Sequence, residues 1–131
     1  MILNIDAREL SKHIEPNTVQ CCVTSPPYYG LRDYGVDGQI GLENSVQEYV
    51  NQLVLVFREV WKVMRDDGTL WLNLGDSYSG SGKGQWKNGE NDPKRNKTKG
   101  QILNHGEVPL GLKPKDLIGI PWLVAHFTHC T

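Results

Sequence analysis

The chain has 131 residues, a length that fits one domain at most, and it carries a net charge of −1. Hydrophobic residues make up 38% and charged residues 22%, which is typical of a globular protein rather than a disordered or membrane-spanning one. No apolar run approaches the roughly 18 residues that span a bilayer, and the N-terminus lacks the basic start of a signal peptide. We therefore expect a cytoplasmic protein with no membrane partner.

The cysteine pattern argues against both a disulfide framework and a metal site. Cys21 and Cys22 are adjacent, so on a strand they point to opposite faces, and we expect both to be small apolar filler in a buried strand. His126, His129 and Cys130 are potential metal ligands, but no matching pair lies upstream. Because a structural zinc site draws four ligands from two spaced pairs, the sequence predicts no metal.

The first part of the chain predicts two strands and a brief helix. Residues 1–5 predict a short strand that Asp6 closes, and residues 7–13 predict the helix. Val19–Thr24 is β-prone and mostly apolar, which predicts a strand buried on both faces. This strand is expected to stop at Ser25-Pro26-Pro27, because consecutive prolines offer no backbone donors to a ladder.

A glycine-rich loop over residues 28–44 precedes the clearest helix. Ser45 and Glu48 have the spacing of a capping box, and Gly68 is expected to end the helix. The apolar face of this helix is predicted to comprise Val46, Tyr49, Val50, Leu53, Val54, Phe57, Val60, Trp61 and Met64. Thr69–Leu74 then predicts another buried strand. Strand, helix and strand together predict a crossover unit with parallel strands.

The last third of the chain changes character. From Ser77 to about Gly106 the composition turns to Gly, Ser, Asn and Lys, and residues 79–106 predict a long, polar, basic loop. Residues 81–100 hold six basic side chains against two acidic ones. Residues 115–127 resume an apolar pattern that predicts a helix, with Pro121 tolerated only near its first turn.

The segment Ser25-Pro26-Pro27-Tyr28 is suited to chemistry on an aromatic amino group. Such a nitrogen is a poor nucleophile because its lone pair is conjugated into the ring. The Ser25 hydroxyl and the Pro26 carbonyl can accept its two hydrogens and so localise that lone pair. The prolines fix φ and hold both acceptors in place before reaction. Tyr28 offers a face on which an extruded base can stack.

Other interpretations of these residues exist. Pro-Pro-Tyr could be a polyproline ligand for an adaptor domain, or a rigid turn. The glycines of residues 80–84 do not form a phosphate-binding loop, since Ser77 and Gly84 stand where that motif requires glycine and Ser or Thr. Attack on ring carbon six of cytosine by a thiolate, commonly presented by Pro-Cys, is discarded because the chain has no Pro-Cys.

Ser-Pro-Pro-Tyr resembles the catalytic signature of DNA amino-methyltransferases, the N4-cytosine and N6-adenine group. The resemblance runs from residue 1 to about Val124 and includes residues 29–35, 41–43, 48–50 and 67–78. It implies an α/β fold, namely part of the Rossmann-like sheet of S-adenosylmethionine-dependent methyltransferases with flanking helices. It also implies that residues 1–131 form a single partial domain. It also implies S-adenosylmethionine as cofactor and double-stranded DNA as partner.

The resemblance assigns roles to further residues. Asp6 stands where the family has an acidic residue that contacts the cofactor adenine, although it could equally cap the following helix. Asp76 is expected to face the same cleft, where it could bind cofactor, support the catalytic loop or cap the strand end. Serine at the first motif position is commoner in N4-cytosine enzymes, so Ser25 favours cytosine N4 over adenine N6.

The chain also departs from the family pattern. Members with this beta-type motif order carry a target-recognition segment and then a Phe-x-Gly-x-Gly turn that holds the methionine end of the cofactor, and neither occurs in these residues. The resemblance therefore implies a sheet that is incomplete without a C-terminal half, and a complementing half as a possible partner. We expect negligible methyl transfer by the isolated chain.

The basic segment supplies the second hypothesis. A non-catalytic nucleic-acid-binding module could use it, with an indole stacking on bases and cations pairing with phosphates. In a methyltransferase the same loop is expected to approach the DNA backbone, and in isolation it could equally be a solvated loop. The candidate DNA-binding residues are Lys83, Trp86, Lys87, Lys94, Arg95, Lys97 and Lys99.

Overall fold

A computed structural model describes residues 2–80 and 111–129. In chain order, the elements are a 3₁₀ helix at Ala7–Lys12, strand β1 at Val19–Thr24, helix α1 at Val46–Val63, strand β2 at Met64–Leu72 and helix α2 at Ile120–His129. β1 and β2 pair in parallel, which confirms the predicted crossover unit. The α/β class is thus confirmed for a two-stranded sheet, and a larger Rossmann-like sheet stays a prediction.

Residues 1–5 were predicted to form a strand, and this prediction is wrong for residues 2–5, which the structure describes. Residues 2–5 form no strand, and Ile2 is 97% exposed. A strand needs a neighbour that accepts and donates its backbone hydrogen bonds, and neither β1 nor β2 pairs with this segment. The helix predicted after it is present as the 3₁₀ helix, with Asp6 as its N-cap.

Helix α1 begins as predicted and buries most of its predicted face. The Ser45 hydroxyl accepts from the Glu48 backbone N–H at 3.2 Å, and the Glu48 carboxylate accepts from the Ser45 backbone N–H at 3.2 Å. Its buried residues are Tyr49, Val50, Leu53, Val54, Phe57, Val60 and Val63. Trp61, which was predicted to be on this face, is 81% exposed because no described element covers that turn of the helix.

The predicted end of α1 at Gly68 is wrong. The helix ends at Val63, and Met64 turns directly into extended backbone at φ −74° and ψ 150°. β2 then carries extra residues opposite β1, because Val19 pairs with Met64 whereas Cys21 pairs with Thr69. Gly68 lies in this irregular part, where a Cβ would be 2.9 Å from the Arg65 carbonyl oxygen. Its role is therefore close backbone approach rather than helix termination.

One face of the sheet is covered and the other is open, which corrects the prediction of strands buried on both faces. Cys22 and Leu72 pack against the core cluster that α1 and α2 form. On the opposite face Cys21 is exposed, Val23 is 78% exposed and Trp71 is 66% exposed. Because the described helices pack on one side of the sheet, only one of the two adjacent cysteines is partly buried, and burial raises the pKa of the Cys22 thiol.

Helix α2 starts later than predicted, at Ile120, with Pro121 in its first turn as expected. The residues that were predicted to begin it instead form a turn at Lys115 and an isolated antiparallel bridge between Leu117 and Tyr78. The Lys115 backbone N–H donates to the Ser79 carbonyl at 2.7 Å, and the Ile118 backbone N–H donates to the Ser77 carbonyl at 2.9 Å. This pairing fastens the segment before α2 to the segment after β2.

Across residues 2–80 and 111–129, no helix is both long and apolar enough to cross a membrane. Over the same ranges, no group of three His, Cys, Asp or Glu side chains is placed to hold a metal ion.

We predict that Gly68→Ala lowers the free energy of unfolding by about 1–3 kcal/mol, because the added methyl group overlaps backbone that cannot move freely. The Cβ would lie 2.9 Å from the Arg65 carbonyl oxygen and 3.2 Å from the Gln20 carbonyl oxygen. Urea titration followed by circular dichroism measures the effect. Asp66→Ala, an exposed change in the same strand, is the control and is expected to stay within about 0.5 kcal/mol of wild type. Equal stability of Gly68→Ala and wild type would contradict the close approach.

Candidate active site

The loop Ser25-Pro26-Pro27-Tyr28 directly follows β1, at the carboxyl end of the parallel pair. Ser25 is exposed, and the next three residues are half-buried. Within the described part of the chain, neither the Ser25 hydroxyl nor the Pro26 carbonyl has a hydrogen-bond partner. A cavity of about 320 Å³ lies beside the loop and is lined by Ser25, Pro26, Pro27, Tyr28, Leu31, Arg32 and Tyr34. The two residues that carry these acceptors therefore line the same cavity, and four of its lining residues are aromatic residues or prolines.

The loop is held from the core by Tyr49, in the first turns of α1. The Tyr49 hydroxyl donates to the Pro27 carbonyl at 2.8 Å, and the side chain is fully buried. Its ring contacts that of Tyr29, with 5.3 Å between centroids and 39° between planes. Burial, with a smaller contribution from the Glu43 carboxylate, raises the pKa of Tyr49 above its ordinary value, so the hydroxyl stays protonated and can donate.

Tyr49 was predicted to lie on the apolar face of the helix, and its hydrogen bond to the Pro27 carbonyl was not predicted. The signal was present, because a buried tyrosine needs a partner for its hydroxyl and Tyr49 is the one hydroxyl-bearing residue on the predicted apolar face. Nothing in the pattern indicated which carbonyl would accept.

The far end of the loop of residues 28–44 folds back on the motif at Gly41. The Gly30 backbone N–H donates to the Gly41 carbonyl at 2.7 Å, and the Gly41 backbone N–H donates to the Glu43 carboxylate at 2.9 Å. Gly41 has φ +106°, and a Cβ there would be 3.0 Å from the Tyr28 carbonyl oxygen. Glycine satisfies both the left-handed backbone and the close approach. The loop 28–44 is thus attached to the motif at a defined point.

Tyr28 lies over the end of β2. A Cβ on Gly75 would be 2.8 Å from the Tyr28 Cε2 atom and 3.0 Å from Cδ2, so the ring rests against glycine backbone. The Tyr28 hydroxyl donates to the Asn73 side-chain oxygen at 3.4 Å, a long contact. The absence of a side chain at Gly75 therefore decides where the Tyr28 ring can lie.

Asp6 is engaged with its own helix. Its carboxylate accepts from the Arg8 backbone N–H at 2.8 Å and from the Arg8 guanidinium at 2.6 to 3.1 Å. These hydrogen bonds, the side-chain ones first, hold the pKa of Asp6 below its usual value. Arg8 also donates to the Gln52 side-chain oxygen at 2.9 Å and to the Gly38 carbonyl at 3.3 Å. The alternative role of Asp6 as helix cap is confirmed, and its contact with a cofactor stays a prediction.

Asp76 caps α2. Its Oδ1 atom accepts from the backbone N–H groups of Ser77 at 2.8 Å and Ile120 at 3.0 Å, and both oxygens accept from Gly119 at 3.0 Å. The carboxylate thus fastens the start of α2 to the segment that follows β2. It does not line the cavity beside Ser25. Cofactor binding by Asp76 stays a prediction.

The predicted DNA-binding residues, from Lys83 to Lys99, lie outside the described residues. A basic side chain that the sequence analysis did not single out, Arg32, lines the cavity itself. It belongs to the segment of residues 29–35 that carries part of the resemblance, whereas the residues that were predicted to bind DNA all lie between positions 83 and 99.

The site follows an α/β arrangement in which ligands bind beyond the carboxyl ends of parallel strands. A family model described as DNA methylase matches residues 19–117, which is well over half of the chain. The chain therefore belongs to the N6/N4 DNA methylase family, and the resemblance carried by Ser-Pro-Pro-Tyr is confirmed.

Among curated proteins, the chain is similar to type II methyltransferases over 92% of its length. It is 49% identical to M.SmaI of Serratia marcescens over 121 residues, 47% identical to M.Cfr9I of Citrobacter freundii, and 45% identical to M.XycI of Xanthomonas campestris pv. cyanopsidis. The match covers 39% of M.SmaI and 38% of each of the other two, so the chain spans less than two fifths of these relatives. No solved structure matches the chain.

We predict that Gly75→Ala lowers the free energy of unfolding by about 1 kcal/mol or more, because the new methyl group displaces the Tyr28 ring. A double-mutant cycle with Tyr28→Ala tests the cause. In the Tyr28→Ala background the cost of Gly75→Ala is expected to fall close to zero, since the overlapping ring atoms at 2.8 and 3.0 Å are gone. Equal costs in both backgrounds, measured by urea unfolding, would show that the ring does not rest on Gly75.

Proposed function

We propose that this chain supplies the base-binding catalytic loop of an S-adenosylmethionine-dependent DNA methyltransferase that modifies an exocyclic amino group, with cytosine N4 favoured over adenine N6. The observation that carries the proposal is a pair of acceptors, the Ser25 hydroxyl and the Pro26 carbonyl, that have no partner among the described residues and belong to residues lining a cavity at the carboxyl end of β1. Membership of the N6/N4 DNA methylase family supports the same reaction class.

The chemistry of the loop follows from those two acceptors. An amino nitrogen bound there donates one hydrogen to the Ser25 hydroxyl oxygen and the other to the Pro26 carbonyl oxygen. These bonds draw the nitrogen towards tetrahedral geometry, so that its lone pair leaves the ring and points at the methyl donor. With the cofactor bound, the nitrogen would form its new bond to the methyl carbon as the carbon–sulfur bond of the sulfonium breaks and its electron pair stays on sulfur in a neutral thioether. The methylated nitrogen would then release one proton to water. Because the loop is fixed by its prolines and by Tyr49, the acceptors need little rearrangement during the reaction.

The cavity suits a single extruded base. Its volume of about 320 Å³ is at the lower end of the range for small-molecule sites. Tyr28, Leu31 and Tyr34 give it flat apolar walls, and Arg32 adds a positive charge that complements a nucleotide phosphate. An amino group that is paired inside a duplex becomes accessible to such a cavity only after its base leaves the stack.

The cofactor site is only partly supplied by the described residues. When bound, S-adenosylmethionine supplies an electrophilic methyl group on a sulfonium sulfur. Asp6 and Asp76, the two carboxylates that the resemblance assigns to it, both hydrogen-bond within the chain, and neither lines the cavity beside Ser25. We therefore propose that the rest of the cofactor site comes from a segment equivalent to the remaining part of the relatives.

A chimera tests the catalytic proposal, with this chain replacing the 121 matched residues of M.SmaI. We expect the chimera to transfer label from S-adenosyl-[methyl-³H]methionine to duplex DNA, and the 131-residue chain alone to give negligible transfer. In the chimera, Ser25→Ala is expected to lower kcat by about 100-fold or more, because one of the two acceptors is lost. Ser11→Ala, a serine-to-alanine change on the 3₁₀ helix, is the matched control and is expected to keep the wild-type kcat.

The methylated nucleoside and the activity of the variants test separate parts of the proposal. Nucleoside mass spectrometry is expected to show N4-methylcytosine, and N6-methyladenine would overturn the base preference. Full activity of Ser25→Ala would overturn the role of the hydroxyl. A chimera that binds DNA but never methylates it would favour the alternative, a non-catalytic nucleic-acid-binding module.

The open face of the sheet suggests where a complementing segment docks. We propose that a polypeptide equivalent to the remaining part of the relatives, in the same chain or a partner chain, covers the exposed pair Val23 and Trp71. These two residues are direct neighbours across the strands and are 78% and 66% exposed. Exposed apolar side chains paired in this way are typical of an interface.

We predict that Trp71→Glu prevents docking, because it would bury a carboxylate without a partner. A tagged form of this chain is co-expressed with the segment of M.SmaI that lies beyond the match, and co-purification is measured. Wild type is expected to retain the segment and Trp71→Glu to lose it. Trp61→Glu, which changes another exposed tryptophan on α1, is expected to retain it. Failure of the wild-type pair to co-purify would contradict the proposed docking.

A further inference from the structure

Two consecutive carbonyls of the catalytic loop have different surroundings. The Pro27 carbonyl accepts the Tyr49 hydroxyl at 2.8 Å. The Pro26 carbonyl, one residue earlier, accepts no hydrogen bond from the described residues. Pro26 and Pro27 have no backbone N–H, so neither can anchor the loop by donating a hydrogen bond. An anchor at this point has to come from a donor elsewhere in the fold.

Tyr49 is well suited to be that donor. It lies near the start of α1, where the capping box of Ser45 and Glu48 fixes the helix end, and its own backbone N–H donates to the Ser45 carbonyl at 3.1 Å. The side chain is fully buried in the core cluster and its ring contacts Tyr29. Its hydroxyl therefore occupies a fixed position relative to the sheet.

We infer that Tyr49 is a positioning residue for the methyl-transfer reaction: by holding the Pro27 carbonyl, its hydroxyl fixes the loop so that the Pro26 carbonyl alone is left as the backbone acceptor for the base amino group. The inference rests on the proposed function. The Tyr49 hydroxyl donates to the Pro27 carbonyl and Tyr49 does not line the cavity beside Ser25, so its effect on the Pro26 acceptor passes through one peptide unit. Without it, the two carbonyls are no longer distinguished and the acceptor pair loses its fixed geometry.

A structural role alone would have a different signature. If Tyr49 only filled the core, then Tyr49→Phe, which keeps the ring and removes one oxygen, would change stability and leave the turnover of folded enzyme intact. A positioning role affects the reaction step, because the acceptors must be aligned when the nitrogen attacks. The distinguishing readout is therefore kcat compared with KM at a temperature where the variants are folded.

The test uses the M.SmaI chimera described above. Tyr49→Phe is expected to lower kcat by about tenfold, the value of one well-placed hydrogen bond, with KM for DNA and for S-adenosylmethionine within about twofold of wild type. Val60→Ala, which removes core volume from α1 far from the loop, is the control for lost stability and is expected to keep the wild-type kcat. A wild-type kcat for Tyr49→Phe, or an equal loss in Val60→Ala, overturns the inference.

A second readout does not depend on activity. In the full chain labelled with ¹³C-proline, Tyr49→Phe is expected to move the Pro27 carbonyl resonance in the direction of a lost hydrogen bond. An unchanged Pro27 resonance overturns the inference. If the wild-type chimera transfers no methyl group, the proposed function fails, and the Pro27 resonance still decides whether Tyr49 holds the loop.

Discussion

Two consecutive prolines leave the loop after β1 without two of its backbone donors, so other parts of the molecule have to fasten it. The Tyr49 hydroxyl reaches the Pro27 carbonyl from α1. Gly41 lets the following loop approach the Tyr28 carbonyl, and Gly75 leaves space for the Tyr28 ring at the end of β2. Three separate segments thus converge on a short motif. The convergence gives the loop a stiffness that its own hydrogen bonds could not provide, and stiffness is what a pair of preorganised acceptors requires.

The two faces of the sheet differ in what covers them. The helices pack on one face, where Cys22 and Leu72 contact the core cluster. The other face presents Val23 and Trp71 to solvent. A parallel sheet in an α/β protein is normally covered on both faces, and the exposed Trp71 beside the exposed Val23 is the observation behind the docking surface proposed above. The relatives contain that additional length, since this chain matches 38–39% of them.

Local signals in the sequence predicted the elements that depend on local interactions. The capping box at Ser45, the bounds of β1 and the parallel crossover are all present as expected. The predictions that failed concern the neighbours of an element. Among the described residues, the segment 2–5 has no strand beside it, and no element covers Trp61. Periodicity reports which face of an element is apolar and says nothing of whether another element covers it. The prediction that Gly68 ends α1 failed for a related reason. A glycine after a helix can also be required where two backbone segments approach closely, and the sequence does not distinguish the two cases.

The candidate site shows the same difference between what local sequence predicts and what depends on distant partners. The motif at Ser25 was located from the sequence because its residue types are unusual and adjacent, whereas the roles of the two carboxylates depend on partners distant along the chain. A carboxylate offers about four acceptor positions. Asp6 accepts four hydrogen bonds from Arg8, two residues along the chain, and is thereby tied to its own helix. Asp76 also accepts four, from the backbone N–H groups of Ser77, Gly119 and Ile120, two of which lie more than forty residues away in sequence. The residue pattern shows that a carboxylate follows a strand, but it cannot show which distant N–H groups the fold will bring to it.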